Sequence, residues 1–323
     1  MFQSVLVPLD GSAFAEQALP LAVSVAQHAG ATLRLLRVVP PLEDSLFWAP
    51  EPGTALESEL REQHRTAAKA YLDGVVSRLK DASTLSVICD VIDEKEGISE
   101  TISADVAKTG AGLIVLTSHG RGAVARFWLG SVADELVRTS PVPVLLVRPP
   151  EQPPLPDFQK PVVLKHFLLA LGGNMAVERI VEPALAIGKA MDADYTLVRV
   201  IRPNLEYVPS FYYPDEGAGL IPASGSVESE KINEQKRQEA EKYLQRVAER
   251  LRADGAQVQA RTPIAEQPAV AILEEAVRCG ADLIALETHG RGLSRVLMGS
   301  VADKVIRGSS LPVLVCRYPR TAP

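Results

Sequence analysis

Two short glycine-containing segments carry the residue types that could do chemistry. Residues 118–122 read SHGRG and follow an apolar run, and nine residues separate Gly120 from the pair Gly130-Ser131. Glycines let backbone N–H groups approach an anion, and a serine at a helix start adds a hydroxyl beside free N–H groups. The pattern suits a polyphosphate. It is not a P-loop, because GxxxxGK[ST] is absent from the chain.

Two polar side chains flank the first of these glycines. Arg121 could neutralise phosphate charge or remain solvated. His119 lies where a catalytic role is conceivable, but no Ser or Cys nucleophile with an acid partner can be assigned to it. We therefore include His119 and Arg121 in the candidate binding set, expect the histidine to shape the loop, and assign no catalytic residue and no metal ligand.

Composition narrows the class of protein. The chain has 323 residues, 46% hydrophobic and 23% charged, which is typical of a globular protein of about two domains. Its net charge of -6 argues against a nucleic-acid binder that relies on positive charge. The three cysteines have no metal-ligand spacing and predict a reducing cytoplasm, where they would be small buried hydrophobes. No signal peptide or apolar run of about 20 residues is recognised, so we expect no membrane association.

The chain contains an internal repeat. The segment AGLIVLTSHGRG at residue 111 returns as ADLIALETHGRG at residue 281, and GSVADELVRTSPVPVLLVR returns as GSVADKVIRGSSLPVLVCR. A proline-dense segment lies between the copies and predicts an extended linker. We therefore predict domains over residues 1–149 and 162–323, joined by a linker over 150–161.

Each copy alternates apolar strands with helical patterns. In the first copy, strands are predicted at 2–9, 31–39, 85–92, 112–117 and 142–147, and helices at 15–28, 55–80, 98–108 and 131–138. In the second copy, strands are predicted near 167–171, 195–201, 256–262, 283–287 and 312–316, and an amphipathic helix covers 228–252. Such alternation predicts two five-stranded α/β domains, each with a parallel sheet covered by helices on both faces.

In each copy a long insertion follows the second strand, over residues 40–53 in the first copy and 203–226 in the second. The second contains Tyr207 and three further aromatic residues, Phe211, Tyr212 and Tyr213. Such loops could be lids over a pocket or contacts between domains. We favour contacts between domains, because no polar motif accompanies the aromatic residues.

The motifs GRG-x7-GSVAD, VPLDGS and PVPVLLV resemble the universal stress protein family over nearly the whole of both copies. The resemblance implies two doubly wound sheets of strand order 3-2-1-4-5, with a ligand at the switch point outside strands 1 and 4. It also implies that the final strands pair across a dimer axis. In this chain the two copies could pair with each other as an intramolecular pseudo-dimer, and a homodimer of whole chains stays open.

The ATP-binding branch of that family holds its phosphates with the pattern Gly-x2-Gly-x9-Gly-Ser/Thr. Carried over residue by residue, the pattern implies Gly120, Gly130 and Ser131 as phosphate ligands, with Thr117 in place of the first glycine. The expected ligand is ATP, with or without Mg²⁺.

The same resemblance places Asp10 beside the adenosine and the backbone of Val38 against the adenine. Taken alone, Asp10 could equally begin a turn through Gly11 and Ser12. The first copy is thereby predicted to bind ATP.

The second copy departs from the pattern in three ways. Gly172 or Gly173 stands in the place of Asp10, Glu287 stands in the place of Thr117, and only eight residues separate Gly290 from Gly299. We predict that this copy binds nucleotide weakly or not at all.

These features predict a cytoplasmic, ATP-binding regulatory protein of the stress response with an unidentified protein partner and at most slow ATP hydrolysis. Two alternatives remain open. One is a nucleotide-free interaction scaffold of the same fold. The other is an adenylating enzyme of the related pyrophosphatase type, which ranks last because residues 9–12 and 171–174 do not match its SGGxDS loop.

Overall fold

A computed structural model gives the fold of the chain. It describes residues 2–42, 54–80, 85–118, 129–172, 179–204, 206–210, 219–223, 227–288 and 299–317. The first domain contains β1 (Ser4–Pro8), α1 (Ala13–Glu16), α2 (Leu19–Ala29), β2 (Thr32–Val39), α3 (Ala55–Lys80), β3 (Val87–Asp93), α4 (Ile98–Thr109), β4 (Leu113–Thr117), α5 (Ser131–Thr139) and β5 (Val144–Val147).

Among the described residues, the second domain repeats this order with two further strands and without a counterpart of α1. It contains β6 (His166–Ala170), α6 (Val181–Met191), β7 (Asp194–Val198), β8 (Glu206–Ser210), β9 (Gly219–Ala223), α7 (Val227–Ala253), β10 (Val258–Arg261), α8 (Pro268–Cys279), β11 (Leu283–Thr288), α9 (Ser300–Gly308) and β12 (Val313–Arg317). The predicted strands are therefore present with ends shifted by a few residues, and the predicted helices are present except that residues 15–28 form two helices.

Ten strands form one continuous sheet in the order β10-β7-β6-β11-β12-β5-β4-β1-β2-β3. Within each domain neighbouring strands are parallel and follow the predicted order 3-2-1-4-5. The domains meet where β5 and β12 pair antiparallel, with Leu145 opposite Leu314. The predicted pairing of the two final strands thus occurs within the chain.

Apolar residues on both faces of the strands account for this architecture. Val5 and Val7 of β1 belong to a core on one face, whereas Leu6 belongs to a core on the other face. Side chains alternate along a strand, so a strand that is apolar throughout must be covered on both sides. Each core contains residues of both domains, and helix α2 packs against α6 across the boundary. The hydrophobic cores therefore join the two domains beyond the single strand pair.

Three sequence predictions need correction. The helix predicted over residues 15–28 is two helices, and Pro20 lies in the first turn of the second, where its missing N–H costs no intrahelical bond. The insertion over residues 203–226 was predicted as a loop but contains β8 and β9, which form a separate antiparallel pair. Of the cysteines expected to be buried, only Cys316 is, since Cys89 and Cys279 are partly exposed.

The segment between β5 and β6 has no helix or strand and lies against the first domain. Gln17 donates from Nε2 to the carbonyl oxygen of Pro154 at 2.6 Å. The guanidinium of Arg78 lies 5.7 Å from the ring centroid of Phe158, and Ser24 Oγ donates to the carbonyl oxygen of Val162. Contacts from helices α2 and α3 and from the C-cap of α1 therefore hold this segment in place.

Candidate functional site

The candidate site lies at the carboxyl edge of the first domain's sheet. Strand β1 pairs with β2 on one side and with β4 on the other. Chain connections leave these neighbouring strands in opposite directions, which opens a crevice at the strand ends. Asp10 follows β1, Thr117 ends β4 and Val38 lies near the end of β2, so the topology brings these three predicted residues to one edge.

Asp10 forms a compact turn. Its Oδ1 accepts hydrogen bonds from the backbone N–H of Ser12 at 2.8 Å and from the Ser12 hydroxyl at 2.6 Å. Ser12 Oγ in turn accepts the N–H of Ala15 at 3.1 Å and caps helix α1. Gly11 has a φ of 81°, a left-handed conformation that glycine adopts without strain. The turn anticipated from sequence is present, and it holds the carboxylate at the end of β1.

The start of helix α5 is tied to the end of β4. Gly130 N–H donates to the carbonyl oxygen of Ser118 at 2.7 Å, and Ser118 N–H donates to the carbonyl oxygen of Val147 at 2.9 Å. Gly130 is the N-cap of α5 and supplies no side-chain hydrogen bond to it. The first-turn N–H groups, beginning at Ser131, have no intrahelical acceptor by helix geometry and carry partial positive charge. Thr117, Gly130 and Ser131 are therefore brought together beside the crevice.

The backbone of Gly130 has φ -60° and ψ 150°, values open to any residue. Conformation alone therefore does not require glycine at this helix start. A missing side chain leaves the N–H groups of the next turn accessible to an anion, which is a reason for glycine that the backbone angles do not supply.

Val38 is buried and paired in register with Ile92 of β3. Next to it, Arg37 donates from Nη1 to the carbonyl oxygen of Leu9 at 3.2 Å, and Leu9 N–H donates to the carbonyl oxygen of Leu36 at 2.8 Å. These bonds fix the ends of β1 and β2 relative to each other. The remaining predicted site residues, His119, Gly120 and Arg121, lie outside the described residues, as does residue Gly290 of the second copy.

Sequence reasoning missed a charged cluster beneath this site. The Glu16 carboxylate is buried at the end of α1 and accepts hydrogen bonds from the Tyr71 hydroxyl at 3.0 Å and from Arg78 Nη2 at 2.7 Å. Burial, then the charge of Glu16 and its hydrogen bond, raise the pKa of Tyr71, and Asp10 adds to that effect. The only sequence signal was one acidic residue in an apolar stretch, since its partners lie more than 50 positions away.

The second switch point differs in its charged groups. Leu9 follows β1 and donates its N–H to the carbonyl oxygen of Leu36 in β2 at 2.8 Å. Leu171 follows β6 and donates in the same way to Val198 of β7 at 2.8 Å. Leu9 and Leu171 are therefore counterparts, and so are the residues after them, Asp10 and Gly172. Glu287 lies in β11, and its Oε1 accepts the N–H of Ile180 at 3.1 Å. Ile180 is the N-cap of α6, so a carboxylate of the sheet is bound to the positive end of a helix.

Neither a metal cluster nor a membrane span is found in the described parts of the chain. Within those residues, no three His, Cys, Asp or Glu side chains are grouped as metal ligands. Over the same residues, no helix is both long and apolar enough to cross a bilayer.

These features define a tandem pair of doubly wound α/β domains with a candidate anion site at the first switch point. Comparison with known proteins identifies the class further. The sequence profile of the universal stress protein family matches residues 1–148 and 164–317. The chain belongs to the universal stress protein family.

Relatives of two lengths resemble the chain. A universal stress protein of Mycolicibacterium smegmatis is 30% identical over 319 residues, covering 97% of this chain and 96% of the relative. The universal stress protein MJ0531 of Methanocaldococcus jannaschii is 30% identical over 165 residues, covering 49% of this chain and 95% of the relative. One domain of this chain thus corresponds to a whole relative of the shorter kind.

A solved structure shares the tandem fold. The universal stress protein from Archaeoglobus fulgidus aligns with a TM-score of 0.65 at 18% identity, covering 98% of this chain and 97% of that protein. This likeness supports the two-domain architecture.

Proposed function

We propose that the protein is a cytoplasmic regulator of the stress response that binds ATP in its first domain. The observation that carries this proposal is the start of α5, whose N-cap Gly130 has no side chain and is tied to the end of β4 beside the Asp10 turn. The phosphates would bind the first-turn N–H groups and the Ser131 hydroxyl, and the adenosine would lie near Asp10 and Val38.

The role of the nucleotide is regulatory in this proposal. Catalysis of phosphoryl transfer needs groups that position a nucleophile and stabilise developing charge. Asp10 is instead engaged in a turn with Ser12, and the sequence supplies no P-loop lysine. ATP occupancy would set the conformation or the partner affinity of the chain, with slow hydrolysis at most. Any Mg²⁺ would be held mainly by the phosphates.

The second domain is proposed to take nucleotide weakly or not at all. Gly172 replaces the Asp10 carboxylate, and the Glu287 carboxylate is close to the strand end where a phosphate or ribose would lie. Negative charge at that position opposes a polyphosphate.

Nucleotide content of the purified chain tests this assignment, measured by denaturation and chromatography and followed by titration with ATP and Mg²⁺. We expect about one nucleotide per chain, lost in an Asp10→Ala/Gly130→Val variant. Gly299→Val is the matched control, because Gly299 caps α9 with nearly the same backbone angles as Gly130. Its nucleotide content should match that of the natural chain. Unchanged affinity in the Asp10→Ala/Gly130→Val variant would remove the proposal.

A second function is a nucleotide-free interaction scaffold. Two observations favour it: the Asp10 carboxylate is hydrogen-bonded within its own turn, and the Glu287 carboxylate is bonded to the N–H of Ile180 at the second switch point. If the natural chain binds no nucleotide even after titration, the scaffold function replaces the ATP-binding function as the favoured one. Equilibrium dialysis against ATP separates the two functions directly.

A further inference from the structure

The two domains differ at the start of the eleven-residue helix that follows their first strand. Ala18 and Ile180 are counterparts, since each is the N-cap of an eleven-residue helix that follows the first strand of its domain. Ala18 N–H donates to the carbonyl oxygen of Ala15 at 3.2 Å, so helix α1 satisfies the start of α2 from within its own segment. Ile180 N–H donates instead to Glu287, a side chain from strand β11.

The position of Glu287 follows from the sheet register. Leu113 and Leu283 are the counterparts that begin β4 and β11, because each lies beside the matching residue of its domain's first strand. Four residues further along, Thr117 and Glu287 therefore occupy the same place at the switch point. A small side chain in the first domain corresponds to a carboxylate in the second.

The Glu287 carboxylate satisfies the positive end of α6 as a bound anion would. An N–H at a helix start that donates to a carboxylate makes a charge-assisted hydrogen bond. Helix starts bind phosphate for the same reasons of charge and free N–H groups. Burial raises the pKa of the neighbouring Cys316 thiol to about 12, and the charge of Glu287 adds to that effect.

We propose that Glu287 is the specificity-determining residue that closes the second switch point to nucleotides, because its carboxylate stands where the first domain has Thr117 and its negative charge opposes a polyphosphate. The inference deepens the proposed function and rests on it, because it explains why only one of two homologous domains takes ATP. Of the three departures of the second copy from the nucleotide-binding pattern, only the change from threonine to glutamate introduces a charge.

Reciprocal exchange of the two residues tests this inference. Glu287→Thr is expected to raise the ATP bound per chain from one to two at saturation, because the competing charge is removed. Thr117→Glu is expected to weaken ATP binding to the first domain by about a hundredfold, because a carboxylate beside the phosphates repels them. Both are measured by equilibrium dialysis with radiolabelled ATP, on the full chain.

Glu182→Gln is the control for charge near the same helix. Glu182 lies in the first turn of α6 and pairs with Arg250 at 2.7 Å, but both side chains are largely exposed. This variant should bind the same amount of ATP as the natural chain. A gain of ATP equal to that of Glu287→Thr would show that net charge near α6, rather than the Glu287 position, sets binding.

The possible failures are distinguishable. If the natural chain binds one ATP and Glu287→Thr still binds one, with the folded far-UV spectrum retained, the role of Glu287 is wrong while the proposed function stands. If the natural chain binds no ATP but Glu287→Thr binds one, the first-domain assignment is wrong and the role of Glu287 stands. Two ATP per natural chain would overturn the inference outright.

Discussion

Arg148 of the first domain donates from Nη1 to the carbonyl oxygen of Ser309 in the second domain at 2.7 Å. The same nitrogen donates to the carbonyl oxygen of Arg307 at 2.9 Å. Both acceptors lie at the end of helix α9, where carbonyl groups have no intrahelical donor and carry partial negative charge. A cation that follows β5 therefore stabilises the end of a helix in the other domain.

Arg317 makes the reciprocal contact through a longer and more exposed hydrogen bond. It ends β12 and donates from Nη1 to the carbonyl oxygen of Thr139, at the end of α5, at 3.2 Å in an exposed setting. The antiparallel pairing of β5 with β12 relates the two arginines by a pseudo-twofold axis. The domain boundary is thus approximately symmetric in its contacts but unequal in their strength.

The first prediction concerns this boundary. Arg148→Ala is expected to lower the free energy of unfolding by about 1.5–3 kcal/mol, as for hydrogen bonds to a charged group. Arg317→Ala should cost less than about 1 kcal/mol, because its single bond is exposed. Urea denaturation followed by circular dichroism measures both. An equal loss of unfolding free energy in the two variants would show that the two arginine contacts contribute equally to stability.

Much of the fold could be predicted from sequence because it depends on local pattern and on the repeat. The apolar runs at 142–147 and 312–316 predicted two final strands, and the family resemblance implied that these strands pair. The β8–β9 pair was missed because Pro209 and Pro222 lower strand propensity in that insertion. Arg148 could not be assigned a role, because its acceptors are set by the register of strands more than 160 residues apart.

The candidate site was predictable to a similar degree. The turn at Asp10 and the helix start at Gly130 follow from residue type and spacing, and both are present. The bond from Ile180 to Glu287 was not predicted, because it depends on how α6 packs against β11 through the core. Contacts between distant elements are a consequence of packing, which no local pattern specifies.

The second prediction uses two tyrosines in opposite situations. The Tyr71 hydroxyl donates to the Glu16 carboxylate, whereas the buried Tyr195 hydroxyl has no hydrogen-bond partner within the described residues. Tyr71→Phe is therefore expected to lower the free energy of unfolding by about 1.5 kcal/mol or more. Tyr195→Phe should be neutral or stabilising, because it removes a buried polar group with no bond to lose.

Thermal and urea denaturation of the two phenylalanine variants provide the comparison. Each variant is the control for the other, since both lose one hydroxyl from a ring packed in the same core. A loss of stability in Tyr195→Phe as large as that in Tyr71→Phe would show that the Tyr195 hydroxyl has a partner.

The third prediction concerns the Glu16–Arg78 pair. The Glu16 side chain is 7% exposed and that of Arg78 is 35% exposed, so removing the arginine leaves a buried carboxylate without its cation. Arg78→Ala is expected to cost about 3 kcal/mol, part of it from the lost contact with Phe158. Adding Glu16→Gln to the Arg78→Ala variant should recover part of the lost unfolding free energy, because the buried side chain then carries no charge. A double-mutant cycle by urea denaturation measures the coupling, and additive effects would argue against it.

The fourth prediction is a pH dependence that originates at Asp105 of helix α4. Its carboxylate is buried, and no described residue bonds its Oδ2. Burial, the largest effect, and the nearby Asp90 raise its pKa, while Arg34 and Lys108 oppose the rise. The folded chain therefore keeps the Asp105 proton to a higher pH than the unfolded chain does. Between the two pKa values the folded state carries more protons, so Asp105 removes stability as the pH rises.

Asp105→Asn abolishes this titration. Its stability relative to the natural chain should increase as the pH is raised from about 4, near the pKa of an unfolded aspartate, towards neutrality. Urea denaturation at a series of pH values measures the difference. Glu275→Gln is the matched control, because Glu275 occupies the corresponding helix position in the second domain and is bonded to Arg278. That variant should be less stable than the natural chain at neutral pH. A relative stability of Asp105→Asn that is constant or falls with rising pH would show that the Asp105 pKa is not raised by folding.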